Sequence, residues 1–195
     1  MVSCHSRPIA SLKWKSTFGP WTYRRLSESG GPVERLWTPW RMEYIQAARH
    51  DDDSCFLCDE PAAGEDDRFL ILARVPRAFV CLNIYPYNPG HLLVAPFRHV
   101  ADLEALDAVE TGDCDLLLQR SVKALKEAMQ PHGFNLGMNL GQVAGAGVPG
   151  HVHWHVVPRW GGDTNFMPIV GQTRVLPELL TDTFAKLKPL LSAAS

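Results

Sequence analysis

The sequence lacks the features that would place the protein in a membrane or outside the cell. Its longest apolar stretch, residues 92–97, is far too short to cross a bilayer. Lys13 and Lys15 interrupt the segment where a secretory signal would carry its apolar core. Positive charge is not in excess either, since 19 lysines and arginines face 21 aspartates and glutamates, which argues against broad contact with nucleic-acid phosphates. We therefore expect a cytoplasmic globular protein with no membrane or nucleic-acid partner.

Cysteine is scarce and odd in number, with five residues in the chain. Without an export signal, structural disulfides are not expected. Cys55 and Cys58 form a Cys-x-x-Cys pair, a spacing that suits either zinc or a redox-active pair. A redox pair needs a βαβ setting, which the surrounding pattern does not show. The residues alone leave both uses open.

Acidic residues are missing from the start of the chain, where the first is Glu28. We interpret residues 1–34 as an N-terminal extension, disordered or loosely docked, and residues 35–195 as one domain. A short helix is expected over residues 42–49, and a loop over residues 60–68 after the cysteine pair.

Apolar periodicity predicts an α+β domain built on an antiparallel sheet of about five strands. One long helix carries an apolar stripe around Leu117 and Leu125, and it should stop near Gly133. Asp102 is expected to cap a shorter helix just before it, and Pro177 to open a C-terminal helix. The predicted strands are residues 69–74, 78–85, 91–97, 134–140 and 151–157.

The last of these strands contains three histidines that alternate with apolar residues. In an extended strand, His151, His153 and His155 share one face, while the apolar residues between them line the other face. Pro158 is expected to close the strand. Three imidazoles in a row on one face indicate a functional site.

Carboxylates are nearly absent around these histidines, because Arg159 and Asp163 are the only charged residues between positions 134 and 170. A metallohydrolase usually needs a carboxylate as base or bridge. The glycine-rich loop 141–150 could instead hold an anion with its backbone N–H groups, next to an imidazole that attacks phosphorus. A histidine row is also a good chelator, so the residues alone favour nucleophile and three-histidine metal site equally.

The pattern His-φ-His-φ-His-φ-φ, with φ apolar, matches residues 151–157 throughout and resembles the histidine triad (HIT) superfamily. Three further segments, residues 35–42, 82–91 and 158–163, resemble a bacterial branch that contains diadenosine tetraphosphate phosphorylases. The resemblance implies a HIT fold and an enzyme of nucleotidyl transfer or hydrolysis, with nucleotide and inorganic phosphate as partners. It also implies a homodimer.

The resemblance further implies a role for individual residues. His153 matches the nucleophile that forms a nucleotidyl-histidine intermediate, His155 a phosphate contact near the leaving group, and His91 a histidine that supports the triad. The matching substrate-binding residues are Asn83 near the ribose, Asn139 with Gly145, Ala146 and Gly147 at the α-phosphate, and Trp160 against a second adenine.

In related proteins with an N-terminal Cys-x-x-Cys, zinc is structural. The matching ligands here are Cys55, Cys58, His99 and His151, and four nitrogen and sulfur ligands form a closed site with no position for water. No organic cofactor is implied.

One departure from the resembled phosphorylases concerns the choice of reaction. They carry a serine where this chain has Gly147, which retains only a backbone N–H for the phosphate. We expect phosphorolysis of diadenosine tetraphosphate to ADP and ATP. The alternatives are a HIT-type nucleotide hydrolase or phosphoramidase, and a nucleotide-binding regulatory protein whose turnover is incidental.

Overall fold

A computed structural model describes residues 55–163 and 178–192 of the chain. Within them, five antiparallel strands form one open sheet with the spatial order β1-β2-β3-β5-β4. The strands are β1 (Ile71–Arg74), β2 (Ala78–Leu82), β3 (Leu92–Pro96), β4 (Gly133–Met138) and β5 (Trp154–Arg159). The helices are α1 (Phe56–Ala63), α2 (Ala108–Met129) and α3 (Leu180–Ser192), with a 3₁₀ turn at Leu103–Ala105.

The predicted α+β class and antiparallel five-stranded sheet are confirmed. No helix in the described ranges is long and apolar enough to cross a membrane. Several predictions fall outside the described residues: the extension over residues 1–34, the domain start at residue 35, the helix over 42–49 and the helix opening at Pro177.

The sheet buries both of its faces, but against different partners. On one face, Val80, Leu92 and Val156 pack with the apolar residues of α2 and α3. On the other, Phe79 and Leu93 pack with Leu57 of α1. The central strands β2 and β3 are buried at every position, which is why their sequences are almost continuously apolar and show no alternation.

Strand β5 differs from its prediction at both ends. It begins at Trp154, because pairing with β3 ends at the Val94–Trp154 pair, and upstream the Val152 N–H instead donates to the Val100 carbonyl at 2.6 Å. Pro158 lies inside the strand and does not close it. The last pair between β5 and β3 is Val156–Leu92, so Pro158 lies beyond that ladder, and its carbonyl accepts from Asn88 Nδ2 at 2.9 Å.

The predicted loop at residues 60–68 is wrong in its first part, where α1 continues through Ala63. Only Leu57 and Pro61 of this helix are buried, so the sequence has no apolar stripe to reveal it. The helix ends at Gly64, whose φ of 71° is a left-handed conformation that glycine adopts without strain.

Helix α2 is capped by Asp107, a residue for which no role was predicted. Asp107 accepts hydrogen bonds from the N–H groups of Val109 and Glu110, and Glu110 reaches back to the Asp107 N–H, forming a capping box. Asp102 precedes the 3₁₀ turn and makes no side-chain capping bond. At the other end, Gln130 adopts a left-handed conformation with φ of 48°, ahead of the predicted stop.

Ser121 on α2 provides a test of this core. Its side chain is fully buried, and among the described residues its hydroxyl has no hydrogen-bond partner. Because a buried unpaired hydroxyl costs free energy and alanine favours the helix more than serine, we expect Ser121→Ala to raise the free energy of unfolding by about 1 kcal/mol. Urea denaturation measures this change, and an unchanged or lowered midpoint would contradict it.

Candidate active site and metal centre

The predicted metal ligands meet where α1, the segment after β3 and the segment before β5 converge. The ligand atoms of Cys55, Cys58, His99 and His151 all lie within 4.8 Å of one another. His151 Nδ1 is 3.4 Å from each sulfur, and His99 Nδ1 is 3.3 Å from Cys58 Sγ. Residues more than 90 positions apart in sequence are thereby brought into one cluster.

The geometry and chemistry of this cluster fit a zinc ion. In tetrahedral zinc with bonds of about 2.3 Å to sulfur and about 2.0 Å to nitrogen, the ligand atoms lie roughly 3.3–3.8 Å apart, and the three nitrogen–sulfur distances above fall in this range. His151 Nε2 donates to the Pro96 carbonyl at 2.8 Å, which leaves the Nδ1 lone pair towards the sulfurs. Burial also lowers the pKa of His151 to about 4, so the ring is neutral, as a metal ligand must be.

An ion pair between the half-exposed Arg98 and the buried Glu110 lies next to the metal-ligand candidate His99. Its neighbour Arg98 donates from Nε and Nη2 to the two carboxylate oxygens of Glu110, each at 2.7 Å, and from Nη2 to the Ala105 carbonyl. Glu110 is 2% exposed. The pair therefore joins the end of β3 to the capping box of α2, a connection that sequence analysis missed because two separate segments supply it.

His153 lies two residues after His151 and is 5% exposed. Its Nδ1 is 2.8 Å from the His151 carbonyl oxygen. A carbonyl only accepts hydrogen bonds, so Nδ1 carries the proton and Nε2 carries the lone pair. Burial lowers the pKa of His153, against a smaller opposing effect of this hydrogen bond. The lowered pKa favours the neutral ring, in which Nε2 is unprotonated.

His155 and His91 form a second imidazole pair. His91 is fully buried, and its Nε2 lies 3.0 Å from His155 Nδ1. The Tyr87 N–H donates to His91 Nδ1 at 3.0 Å, so His91 Nδ1 must be the acceptor and Nε2 must carry the proton. His91 Nε2 then donates to His155 Nδ1, and neutral His155 carries its own proton on Nε2. The neutral rings of His153 and His155 therefore differ at Nε2: this atom has a lone pair in His153 and a proton in His155.

Asn83 and Tyr87 belong to the loop that precedes β3. Asn83 Oδ1 accepts from the Tyr85 N–H at 2.9 Å, which orients the amide so that Nδ2 lies 3.3 Å from His91 Nδ1. The Tyr87 ring stacks on His91 with centroids 4.8 Å apart. Asn83, which was predicted to lie near the ribose, is therefore next to His91, which was predicted to support the triad.

Two backbone N–H groups of the glycine-rich loop donate to carbonyls within the loop itself. The N–H groups of Gly145 and Ala146 donate to the carbonyls of Gln142 and Gly141, at 3.0 and 3.4 Å. Asn139 Nδ2 lies 3.4 Å from the Gly145 carbonyl, so this predicted pair is adjacent. Among the described residues, Gly147 is the one of the three predicted loop positions whose N–H has no such internal acceptor.

Trp160 is half-buried and follows directly after β5. Its backbone N–H donates to Asp163 Oδ2 at 3.1 Å, and the next N–H, that of Gly161, donates to His132 Nδ1 at 2.8 Å. These two hydrogen bonds hold the backbone of the turn that carries the Trp160 side chain. His132 thus helps to hold that turn.

Fold and site together define a class of protein: an open antiparallel α+β sheet with three alternating histidines and an adjoining Cys₂His₂ cluster. The chain belongs to the HIT domain family, whose model matches residues 64–162. An AP-4-A phosphorylase of Mycobacterium tuberculosis is 43% identical over 77% of this chain and 80% of its own length.

Two further relatives extend the comparison. A bifunctional bis(5'-adenosyl)-triphosphatase/adenylylsulfatase of Arabidopsis thaliana is 38% identical over 45% of this chain and 48% of its own. A zinc-bound histidine triad protein of Mycobacterium smegmatis has 27% identity and a TM-score of 0.56, over 70% of this chain and 92% of that one. These relatives group the chain with the HIT enzymes that process nucleotides.

Replacing Glu110 by glutamine tests the ion pair behind His99. The hydrogen bond from Arg98 is the main cause that lowers the pKa of Glu110 to about 2, from an ordinary value of 4.5. A lowered carboxyl pKa stabilises the fold above pH 4.5, and this contribution is lost as pH falls towards 2. We expect Glu110→Gln to cost about 2 kcal/mol at neutral pH, and the difference from wild type to shrink below pH 4.5.

Denaturant unfolding of both proteins across this pH range measures the difference. A cost that stays constant between neutral pH and pH 3 would contradict the assignment, because an uncharged role of the side chain would not depend on its titration.

Proposed function

We propose that this protein transfers an adenylyl group through a nucleotidyl-histidine intermediate on His153, with diadenosine tetraphosphate as substrate. One observation carries the proposal: the 2.8 Å contact of His153 Nδ1 with the His151 carbonyl places the proton on Nδ1, so that the neutral ring carries its lone pair on Nε2. A neutral imidazole with a fixed lone pair is a nucleophile that needs no further base. The relative named as an AP-4-A phosphorylase supports this choice of substrate.

The proposed reaction has two displacements. His153 Nε2 attacks the α-phosphorus of one adenosine, and the bond from that phosphorus to the bridging oxygen breaks. ATP leaves with the bonding electron pair, while the Nε2–H of His155 donates to the departing oxygen. An oxygen of inorganic phosphate then attacks the same phosphorus, the P–N bond breaks, and ADP leaves as the electron pair returns to Nε2.

The proposed substrate contacts are those that the resemblance to the HIT family implies. The Gly147 N–H and Asn139, adjacent to Gly145 and Ala146, hold the α-phosphate and stabilise the charge that develops on it. Asn83 holds the ribose of the transferred nucleotide. Trp160 stacks on the second adenine, which gives a dinucleotide more contact area than a mononucleotide.

Hydrolysis is the second candidate, and Gly147 favours it. A glycine supplies no side chain to hold an incoming phosphate. Water would then replace phosphate as the attacking group in the second displacement. The Arabidopsis relative, named as a triphosphatase and adenylylsulfatase, is consistent with hydrolysis in this family. Water as the second nucleophile gives AMP and ATP, and a phosphoramidate substrate would give AMP and an amine.

The Cys₂His₂ cluster is proposed to hold a structural zinc ion. Cys55 and Cys58 on one side and His99 and His151 on the other would tie α1 to the segments beside β3 and β5. A bound zinc supplies charge that keeps both thiols deprotonated, and four protein ligands leave it no position for a reacting water. Its effect on catalysis would be indirect, through the placement of His153 two residues away.

The domain, assembly and cellular predictions remain proposals. Within the described residues, β4 pairs with β5 on one side only, and Leu136 on it is 49% exposed. Such an edge is suited to a second copy of the chain, consistent with the proposed homodimer. The extension over residues 1–34, a domain from residue 35 and a cytoplasmic location are proposed from sequence alone.

Replacing His153 by alanine tests the mechanism. Removal of a covalent nucleophile typically costs several orders of magnitude, so we expect turnover of diadenosine tetraphosphate to fall by about 10³-fold or more. Binding of the dinucleotide, measured by calorimetry, should be retained because the phosphate and base contacts remain. Unchanged turnover would refute the mechanism.

The products of the wild-type protein, with and without inorganic phosphate, identify the reaction. ADP that appears only when phosphate is added indicates phosphorolysis, and AMP with ATP indicates hydrolysis. Tight binding with negligible turnover would instead point to a regulatory nucleotide-binding protein.

Metal analysis of purified variants tests the zinc proposal. We expect about one zinc per wild-type chain and little in Cys55→Ser, because loss of a thiolate ligand opens the closed site. Cys81→Ala is the matched control, since Cys81 is a buried thiol outside the cluster. Full zinc content in Cys55→Ser would overturn the ligand assignment.

A further inference from the structure

The carboxylate of Asp163, which follows β5, accepts hydrogen bonds from three different residues. Its Oδ1 accepts from Arg159 Nη2 at 2.8 Å. Its Oδ2 accepts from Arg159 Nε at 2.6 Å, from Asn88 Nδ2 at 2.8 Å and from the Trp160 N–H at 3.1 Å. The Asp163 side chain is only 12% exposed, so these charge-assisted bonds are largely shielded from water.

Asn88 is the partner that lies outside the β5 turn. Its Nδ2 uses both hydrogens, one to Asp163 and the other to the Pro158 carbonyl at 2.9 Å. The loop that leads to β3 is thereby fastened to the end of β5. Since an asparagine amide has only two hydrogens on Nδ2, this side chain is fully committed to the connection.

The fastened loop controls the proton position on His91. Tyr87 is next to Asn88, and its backbone N–H donates to His91 Nδ1. The backbone N–H of His91 in turn donates to the Asn88 carbonyl at 3.1 Å. A shift of Asn88 would move the Tyr87 amide, the shorter of the two donors to His91 Nδ1; the other is Asn83 Nδ2 at 3.3 Å. His91 could then place its proton on Nδ1, and the 3.0 Å contact with His155 would lose its donor.

We propose that Asp163 and Asn88 are positioning residues that fix the tautomer of His91 and, through it, keep the proton of His155 on Nε2. The importance of that proton for leaving-group departure rests on the function proposed above. The fixing of the tautomers does not depend on that function. Neither residue needs to touch substrate for this role.

Isotope-labelled histidine and proton–nitrogen correlation spectra report the tautomers directly, in the full-length protein at neutral pH. We expect His91 and His155 to be Nε2-protonated in wild type. Asp163→Asn, which cannot accept the same set of donors, and Asn88→Ala should each populate the Nδ1-protonated form of His91. For diadenosine tetraphosphate, kcat should fall about 10-fold or more with little change in KM, as for other residues that orient a functional histidine.

Asn135→Ala is the matched control. Asn135 Oδ1 accepts from Arg159 Nη1 at 2.7 Å, so this variant removes a hydrogen bond from the same arginine without touching Asp163 or Asn88. Wild-type tautomers in this control, with altered tautomers in the other two variants, would support the proposal. If the control changes the tautomers equally, general loosening of the turn is the cause and the proposal is wrong.

Two further outcomes separate this proposal from the proposed function. Unaltered tautomers in both Asp163→Asn and Asn88→Ala would overturn the positioning role, whatever the turnover. Altered tautomers in a protein whose wild type does not turn over the dinucleotide would support the positioning role and reject the function. Should Asp163→Asn fail to fold, Asn88→Ala alone decides, because Asn88 makes no ion pair that the fold must lose.

Discussion

Backbone groups fix the position of the ring proton on three histidines of the site, His151, His153 and His91. The Pro96 carbonyl holds the Nε2 proton of His151, the His151 carbonyl holds the Nδ1 proton of His153, and the Tyr87 amide keeps His91 Nδ1 free of one. Carbonyls and amides have fixed roles as acceptor and donor, unlike a second imidazole, which could take either. The chemistry of the rings therefore depends on where the chain places its peptide groups, and hence on the sheet that positions them.

This arrangement explains how three alternating histidines serve different purposes within five residues. His151 turns Nδ1 to the cysteines, and His153 keeps its own Nδ1 proton on the carbonyl of His151. A rigid metal centre on one side would restrict the backbone beside His153, the proposed nucleophile. On the other side, the bonds to Asp163 restrict the loop that carries His91. His153 and His155 thus lie between two connections, each closed by residues distant in sequence.

Several elements could be predicted because they depend on local pattern. The antiparallel sheet followed from apolar runs and turn residues, and the long helix followed from its stripe. The capping box of Asp107 and Glu110 was missed, although its residue types fit the known signature. Helix α1 was missed for a physical reason: its buried face consists of two residues, so tertiary contacts and not periodicity stabilise it.

The sequence by itself determined the identity of the chemical groups: three alternating imidazoles, a cysteine pair and a segment without carboxylates. Those facts left nucleophile and metal ligand equally favoured, because alternation predicts a shared strand face for all three histidines. The resemblance to the HIT family implied separate roles for them, and the tertiary structure gives them separate surroundings: β5 starts at Trp154, so that His151 and His153 precede the strand and His155 lies within it. Ring orientation and proton position depend on partners such as Pro96 and Tyr87, which reach the histidines only after the chain has folded.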